Sequence, residues 1–251
     1  MRTIALLTDF GTRDPYVAAM KGVLASRTSA PLHDLTHDLT PFDILGAAWF
    51  LGSIARYWPA QTIFVCVVDP GVGTSRRILA IEENEQIFLA PDNGLLTFVH
   101  RHGRAFSVEN TQLFLPGGSN TFHGRDRFAP VAAALANGLT LDEAGPRVER
   151  IARLPYEPPT YGDVVRGTVV AVDRFGNVVT DVEASRIPFA PFALTIGDIT
   201  LDRVEANYGD AAPGPFLIVG SSGCIEISIA NASAAERLHL RRLERVAIIP
   251  Q

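Results

Sequence analysis

The sequence predicts an α/β protein: an N-terminal α/β domain with a largely parallel central sheet over residues 1–157, then a smaller all-β domain over 158–251. Three observations predict this. Apolar runs without alternation, such as Thr3–Leu7 and Ile63–Val68, read as strands covered on both faces. Stretches with helical spacing alternate with those runs in the first part of the chain. Beyond the cluster of Pro155, Pro158 and Pro159 helical patterning is scarce, and short strand-like runs lie between Gly, Pro and Asn turns.

Taken in order, Thr3–Leu7 is a first strand that turns through Thr8–Thr12. Asp14 is placed to cap a helix with Pro15 in its first turn, and Tyr16–Ser26 follows as that helix. His33–Thr36 reads as a short strand. Pro41-Phe42-Asp43 opens a second helix over Ile44–Tyr57. The β-branched strand Ile63–Val68 ends at Asp69-Pro70-Gly71. Arg77–Glu82 and Gln86–Ala90 pair around Glu83-Asn84-Glu85, Leu95–His100 forms a helical turn, and Phe128–Asn137 is a helix closed by Gly138. In the second part, Gly167–Asp173, Val178–Val182, Ala193–Ile196, Phe216–Val219 and Ile225–Ile229 read as strands.

The bulk composition narrows the function classes. The 251 residues are 47% hydrophobic and 20% charged, ordinary for a globular protein. A net charge of −5 gives no basic footprint for nucleic acid. Cys66 and Cys224 are too few for a Cys-rich zinc site or a disulfide framework, which suits a reducing compartment. The N-terminal apolar run stops at Asp9, too short for a signal peptide or a membrane span, so a cytoplasmic location is expected.

Open α/β sheets bind ligands beyond the carboxyl ends of their strands. Asp9 and Asp69 each follow an apolar strand directly, and each is followed by a Gly-bearing loop. One such Asp is more often a plain turn cap; two shift the balance toward a site. The loop Asp69–Arg77 lacks the Gly-Lys-Ser/Thr ending of a phosphate-binding loop and the third glycine of a dinucleotide fingerprint. Arg76 is placed to pair with Asp69, whereas Arg77 reads as a surface arginine. Asn120–Asp126 is a polar loop ahead of a helix, in which His123 serves proton transfer or a structural role. His33, His37 and Asp38 raise a metal site, disfavoured by the flanking Pro31 and Pro41. Asp173-Arg174-Phe175-Gly176-Asn177 reads as a hairpin turn or as an Asn and an aromatic reading a base. Ser221–Glu226 is similarly open.

Six segments in order resemble one family, the S-adenosylmethionine hydroxide adenosyltransferases, which are SAM hydrolases related to fluorinases and chlorinases. They are Leu7–Thr12, Asp14–Tyr16, Val68–Thr74, Ala90–Leu96, Phe122–Asp126 and Asp173–Asn177. The resemblance implies a C-terminal barrel-like domain, a homotrimer with substrate held between neighbouring subunits, and conversion of S-adenosyl-L-methionine and water to adenosine and L-methionine. It implies no cofactor and no metal.

Residue by residue, it implies a catalytic set of Asp69, Arg76 and His123. It implies that Asp9 binds the ribose hydroxyls, that Asp173 faces the methionine ammonium, and that Asn177 and Tyr208 lie beside the adenine. Ser222 and Glu226 fall in the segment holding the other end of the ligand, and Asn93 and Ala230 join the substrate-binding set. The related halogenases carry a Tyr-Ser pair where this chain has His123-Gly124, lack the carboxylate at Asp69, and include in fluorinases an N-terminal insertion. A SAM- or adenosine-binding sensor without turnover, and a metal-dependent hydrolase built on His33, His37 and Asp38, are the readings from other classes.

Overall fold

Residues 2–251 are described in a computed structural model, in which the chain falls into two compact units, Met1–Pro155 and Tyr156–Gln251. In the first unit the strands are β1 (Thr3–Thr8), β2 (Leu32–Thr36), β3 (Thr62–Val67), β4 (Ile78–Glu83), β5 (Gln86–Pro91), β6 (Arg104–Ser107) and β7 (Arg147–Val148). The helices are α1 (Tyr16–Ala25), α2 (Ile44–Ile54), α3 (Ala129–Ala136) and the single turn α4 (Leu141–Ala144). The sheet runs β2-β1-β3-β5-β4-β6-β7; β2, β1, β3 and β5 are parallel, and β4 is antiparallel to both its neighbours.

The missing alternation in β1 and β3 has a direct cause. Ile4, Leu6, Ile63 and Val65 enter one core with Met20, Leu24 and Phe128, while Ala5, Leu7, Phe64 and Cys66 enter a second core with Leu51 and Phe88. Both faces of each strand are therefore dry, so every position is apolar. Each large side chain so buried contributes about 1.5–3 kcal/mol. Thr8 pairs in register with Val67, so Asp9 and Asp69 leave the carboxyl ends of two adjacent strands.

Several local details differ from expectation. Asp14 does not cap α1; Pro15 occupies that position, and no side chain caps the helix. Asp43 caps α2 instead, accepting from Gly46 N at 2.9 Å. That helix stops at Ile54 and tightens into a 3₁₀ turn, Ala55–Tyr57. Leu95–Val99 is a succession of turns, not a helix. A π-helical turn, Gly124–Phe128, precedes α3, a wide turn often found at functional sites. His33 sits on β2, so the His33/His37 spacing does not present one helical face. Among the described residues, no three His, Cys, Asp or Glu side chains are grouped to hold a metal, and no helix is long and apolar enough to cross a membrane.

The second unit contains β8 (Val165–Val172), β9 (Val178–Glu183), β10 (Phe192–Ile196), β11 (Ile199–Leu201), β12 (Val204–Glu205), β13 (Pro215–Val219), β14 (Cys224–Ile229), α5 (Ala234–Leu238) and β15 (Arg245–Pro250). They form one curled, half-barrel sheet in the order β11-β10-β15-β8-β9-β14-β13-β12. Its concave core holds Val165, Val169, Leu194, Leu217, Ile227 and Ile248. The turn joining β8 to β9 is Asp173–Asn177. Its Gly176 has φ +83°, and a Cβ there would lie 2.1 Å from Ser233 Oγ, so only glycine fits.

Candidate active site

The loop after β3 folds back on itself. Val72 N donates to Asp69 O at 3.2 Å, and Thr74 N donates to Gly71 O at 3.2 Å. Gly73 has φ +82°, and a Cβ on it would lie 2.6 Å from Asn120 O, so glycine lets this loop pass close to the polar loop before the π turn. These turns return Arg76 over Asp69. Arg76 Nε donates to Asp69 Oδ1 at 2.8 Å, and Nη2 donates to Oδ2, a two-pronged pair. Arg76 Nη2 also lies 2.8 Å from His123 Nδ1. The guanidinium rests 5.8 Å from the Phe128 ring centroid.

All three side chains are buried: 4% of Asp69 and 9% of Arg76 is exposed, and His123 is 1% exposed. Burial, followed by Arg127 and Arg76, pushes the imidazole down to about 4, so His123 is neutral near pH 7. Arginine only donates, so Nδ1 must accept and the ring proton sits on Nε2. That Nε2 is buried with no hydrogen-bond partner among the described residues. A buried N–H without an acceptor is costly, and here it offers a hydrogen bond to whatever enters the site.

The π turn that carries His123 is held from behind. Asp126, 2% exposed, accepts from Ser119 N at 2.7 Å and from Arg125 Nε at 2.6 Å. Its own carbonyl accepts from Leu115 N at 2.9 Å. A Cβ on Gly124 would lie 3.1 Å from Met20 Sδ and 3.2 Å from Phe10 Cε2, so a side chain there would press on both neighbours.

Asp9 is half-buried, and its Oδ2 accepts from Phe42 N at 2.8 Å. Asn93 is engaged at both ends of its amide: Nδ2 donates to Val68 O at 2.9 Å, and Oδ1 accepts from Leu95 N at 3.2 Å. Its visible work is thus to fix the end of β3. Arg77 is no free surface arginine. Its Nε donates to Asp92 at 2.9 Å and its Nη2 to Arg150 O at 2.8 Å, which ties it to the segments that follow β5 and β7.

A separate cavity of about 740 Å³ opens in the second unit, lined by Asp173, Phe175, Asn177, Tyr208, Ser221 and Glu226 among others. Asp173 shapes its own turn by accepting from Phe175 N at 2.9 Å and from Asn177 N at 2.8 Å, and Asn177 Nδ2 donates to its other oxygen at 2.8 Å. Tyr208 Oη donates to Glu226 Oε2 at 3.2 Å. Burial raises the Glu226 carboxyl above its ordinary range. Phe175 is 77% exposed, a flat apolar face on the cavity rim. Ser222 and Ala230 do not line this cavity; their neighbours Ser221, Ile229 and Asn231 do. The turn Gly220–Gly223, in which Gly223 N donates to Gly220 O, sets which side chains of this segment reach the cavity wall.

Comparison with known proteins places both units. Residues 4–145 match the SAM hydroxide adenosyltransferase N-terminal domain, and residues 167–247 match the C-terminal domain of the same family. The chain belongs to the SAM hydroxide adenosyltransferase family. A relative from Thermus thermophilus named (R)-S-adenosyl-L-methionine hydrolase is 40% identical, over 96% of this chain and 97% of its own length. A fluorinase from Actinoplanes is 30% identical, over 95% of this chain and 94% of its own. That alignment spans 280 positions against the 251 residues here, so the fluorinase has segments with no counterpart in this chain. A crystal structure of an uncharacterized conserved protein from Thermotoga maritima superposes with a TM-score of 0.89 at 33% identity, covering 98% of this chain and all of that one.

Proposed function

We propose that the protein hydrolyses S-adenosyl-L-methionine to adenosine and L-methionine, with Asp69, Arg76 and His123 activating the water. The observation that carries this is the buried, mutually bonded trio with an unpartnered His123 Nε2–H. The (R)-S-adenosyl-L-methionine hydrolase name of the Thermus relative supports it.

The chemistry suits these groups. The substrate is a sulfonium, so its leaving group departs as a neutral thioether and needs no acid. The difficulty is the nucleophile, because water is weak and hydroxide is scarce at neutral pH. Water oxygen forms a bond to the 5′ carbon while the C–S bond breaks in line, its electron pair passing to sulfur. One water proton must leave. Asp69 is the acceptor, since each of its oxygens keeps a lone pair beyond the bond from Arg76. Arg76 holds the carboxylate in place. His123, neutral with Nδ1 occupied, acts as a hydrogen-bond donor to the water oxygen and not as its base. A water donating to Asp69 and accepting from His123 keeps a lone pair directed at carbon.

On this reading Asp9 takes the ribose hydroxyls. Asp173 and Glu226 face the cationic amino-acid part, Asn177, Tyr208 and the Phe175 ring hold the adenine, and Asn93, Ser222 and Ala230 complete the binding set. No cofactor takes part. The active form is a cytoplasmic homotrimer, as the family resemblance implies.

Incubation of purified protein with S-adenosyl-L-methionine, with and without chloride or fluoride, followed by chromatography, tests the reading. Adenosine in every arm supports it. A 5′-halogenated nucleoside would make the protein a halogenase, and substrate binding without turnover would make it a sensor.

A further inference from the structure

We propose that His37 is a positioning residue for Asp9, through a chain that runs from the exposed pair Lys21–Asp34 to the buried pair His37–Thr8 and ends in the loop carrying that carboxylate. This rests on the substrate-binding role given to Asp9 above. His37 lies just past β2, is 6% exposed, and takes no part in the Asp69 cluster. Its Nδ1 lies 2.8 Å from the hydroxyl of Thr8, itself fully buried at the end of β1. Its Nε2 lies 3.1 Å from Asp34 Oδ1, although off the line of a good hydrogen bond. Lys21 Nζ donates to the other oxygen of Asp34 at 2.6 Å.

The tautomer with the imidazole proton on Nε2, toward the acceptor-only carboxylate of Asp34, leaves Nδ1 to accept from the Thr8 hydroxyl. The Thr8 oxygen accepts from Phe10 N at 3.3 Å. The His37 carbonyl accepts from Gly11 N at 2.7 Å. Ring and backbone of one residue thus hold both ends of the tetrapeptide Thr8–Gly11, with Asp9 inside it. Five residues further on, Phe42 N reaches Asp9 Oδ2 at 2.8 Å with Phe42 at φ +65°. A bulky residue in that region is strained, so the segment from His37 to Phe42 keeps an unfavourable backbone in order to grip Asp9. The same loop turns the Phe10 ring toward Gly124 beside His123.

The test is a double-mutant cycle on steady-state turnover of S-adenosyl-L-methionine, with wild type, His37→Ala, Asp9→Asn and the double variant. His37→Ala is expected to raise KM about tenfold with kcat within about twofold, and to add less than about twofold to KM once Asp9 is changed. Equal factors in both backgrounds overturn the proposal. His37→Asn keeps an acceptor at the Nδ1 position and is expected to restore KM to within about threefold; a KM as high as that of His37→Ala counts against positioning. Should His37→Ala not fold, Thr8→Val cuts the same link and is read identically. If wild type does not turn over the substrate, the functional reading fails by itself. A crystal structure of His37→Ala or Thr8→Val then decides: a displaced Asp9 carboxyl supports positioning, and an unmoved one that keeps its bond from Phe42 overturns it.

Discussion

The Asp69 cluster and the cavity of the second unit are built on opposite terms. Asp69, Arg76 and His123 are buried, bonded to one another, and leave one N–H unused. Around the cavity, Phe175 is 77% exposed and Tyr208 is 45% exposed, and the carboxylates Asp173 and Glu226 keep unused acceptor capacity. On the proposed reading, groups that hold a small nucleophile in one geometry are locked before any ligand arrives. On the same reading, the rim groups Phe175 and Tyr208 stay open to a large, partly apolar cation that completes them, while Asn177 and Glu226 are buried at the cavity wall. The contrast separates turnover from affinity.

The largest effect should come from breaking the locked cluster. Asp69→Ala removes the proton acceptor and strands Arg76, so turnover should fall by about 10³-fold or more. Leaving a buried charge without its partner should also cost about 3–5 kcal/mol of stability. Calorimetry should still show adenosine binding; equal loss of binding and turnover would merge the two regions into one. His123→Phe should lower kcat by about 10²-fold, the usual effect of removing one donor aimed at a reacting oxygen, while KM stays near wild type.

pH sharpens the comparison. His123 is pushed down to about 4, so it stays neutral from about pH 7 to about pH 5 and lends kcat no dependence there. Glu226 is raised by burial and next by the negative charge of Asp173, partly offset by Tyr208. A raised carboxyl takes up a proton earlier as pH falls, which removes negative charge facing a cationic substrate. KM should therefore rise as pH falls, starting at a higher pH than an ordinary carboxyl would give, and Glu226→Gln should flatten that rise. A kcat that follows the same curve would contradict the separation. The smallest effect is expected from Tyr208→Phe. It deletes one 3.2 Å hydrogen bond at the cavity edge, worth about 0.5–1.5 kcal/mol, so KM should rise by less than about tenfold.

Much of this was legible in the chain. The unbroken apolar runs of β1 and β3, each ending in Asp, gave both the doubly covered sheet and the position of Asp9 and Asp69. The Asp173–Asn177 turn was visible from its Gly-Asn ending. Other parts were too short or too weakly patterned to read. β7 and β12 have two residues each, and α4 is a single turn whose one readable signal is the Thr140–Glu143 capping box. The π turn was hidden because Gly124–Phe128 has the composition of an ordinary helix start, and its wider hydrogen bonding depends on packing around Gly118 and Asp126. Arg77 looked like its neighbour Arg76 turned outward, and only the partners across the sheet distinguish a clamp on Asp92 from a loose side chain.

By itself the sequence determined the fold class, the family and which residue types stand at the strand ends, because burial on two faces and Gly-bearing turns leave marks within a few residues of one another. Only the tertiary structure decided which nitrogen of His123 carries its proton, which of Ser221 and Ser222 faces the cavity, and that His37 reaches Thr8 across 29 positions of chain. Those are distances and directions between groups far apart in sequence. They are fixed by the packing of sheet against helix and loop, and no local pattern encodes them.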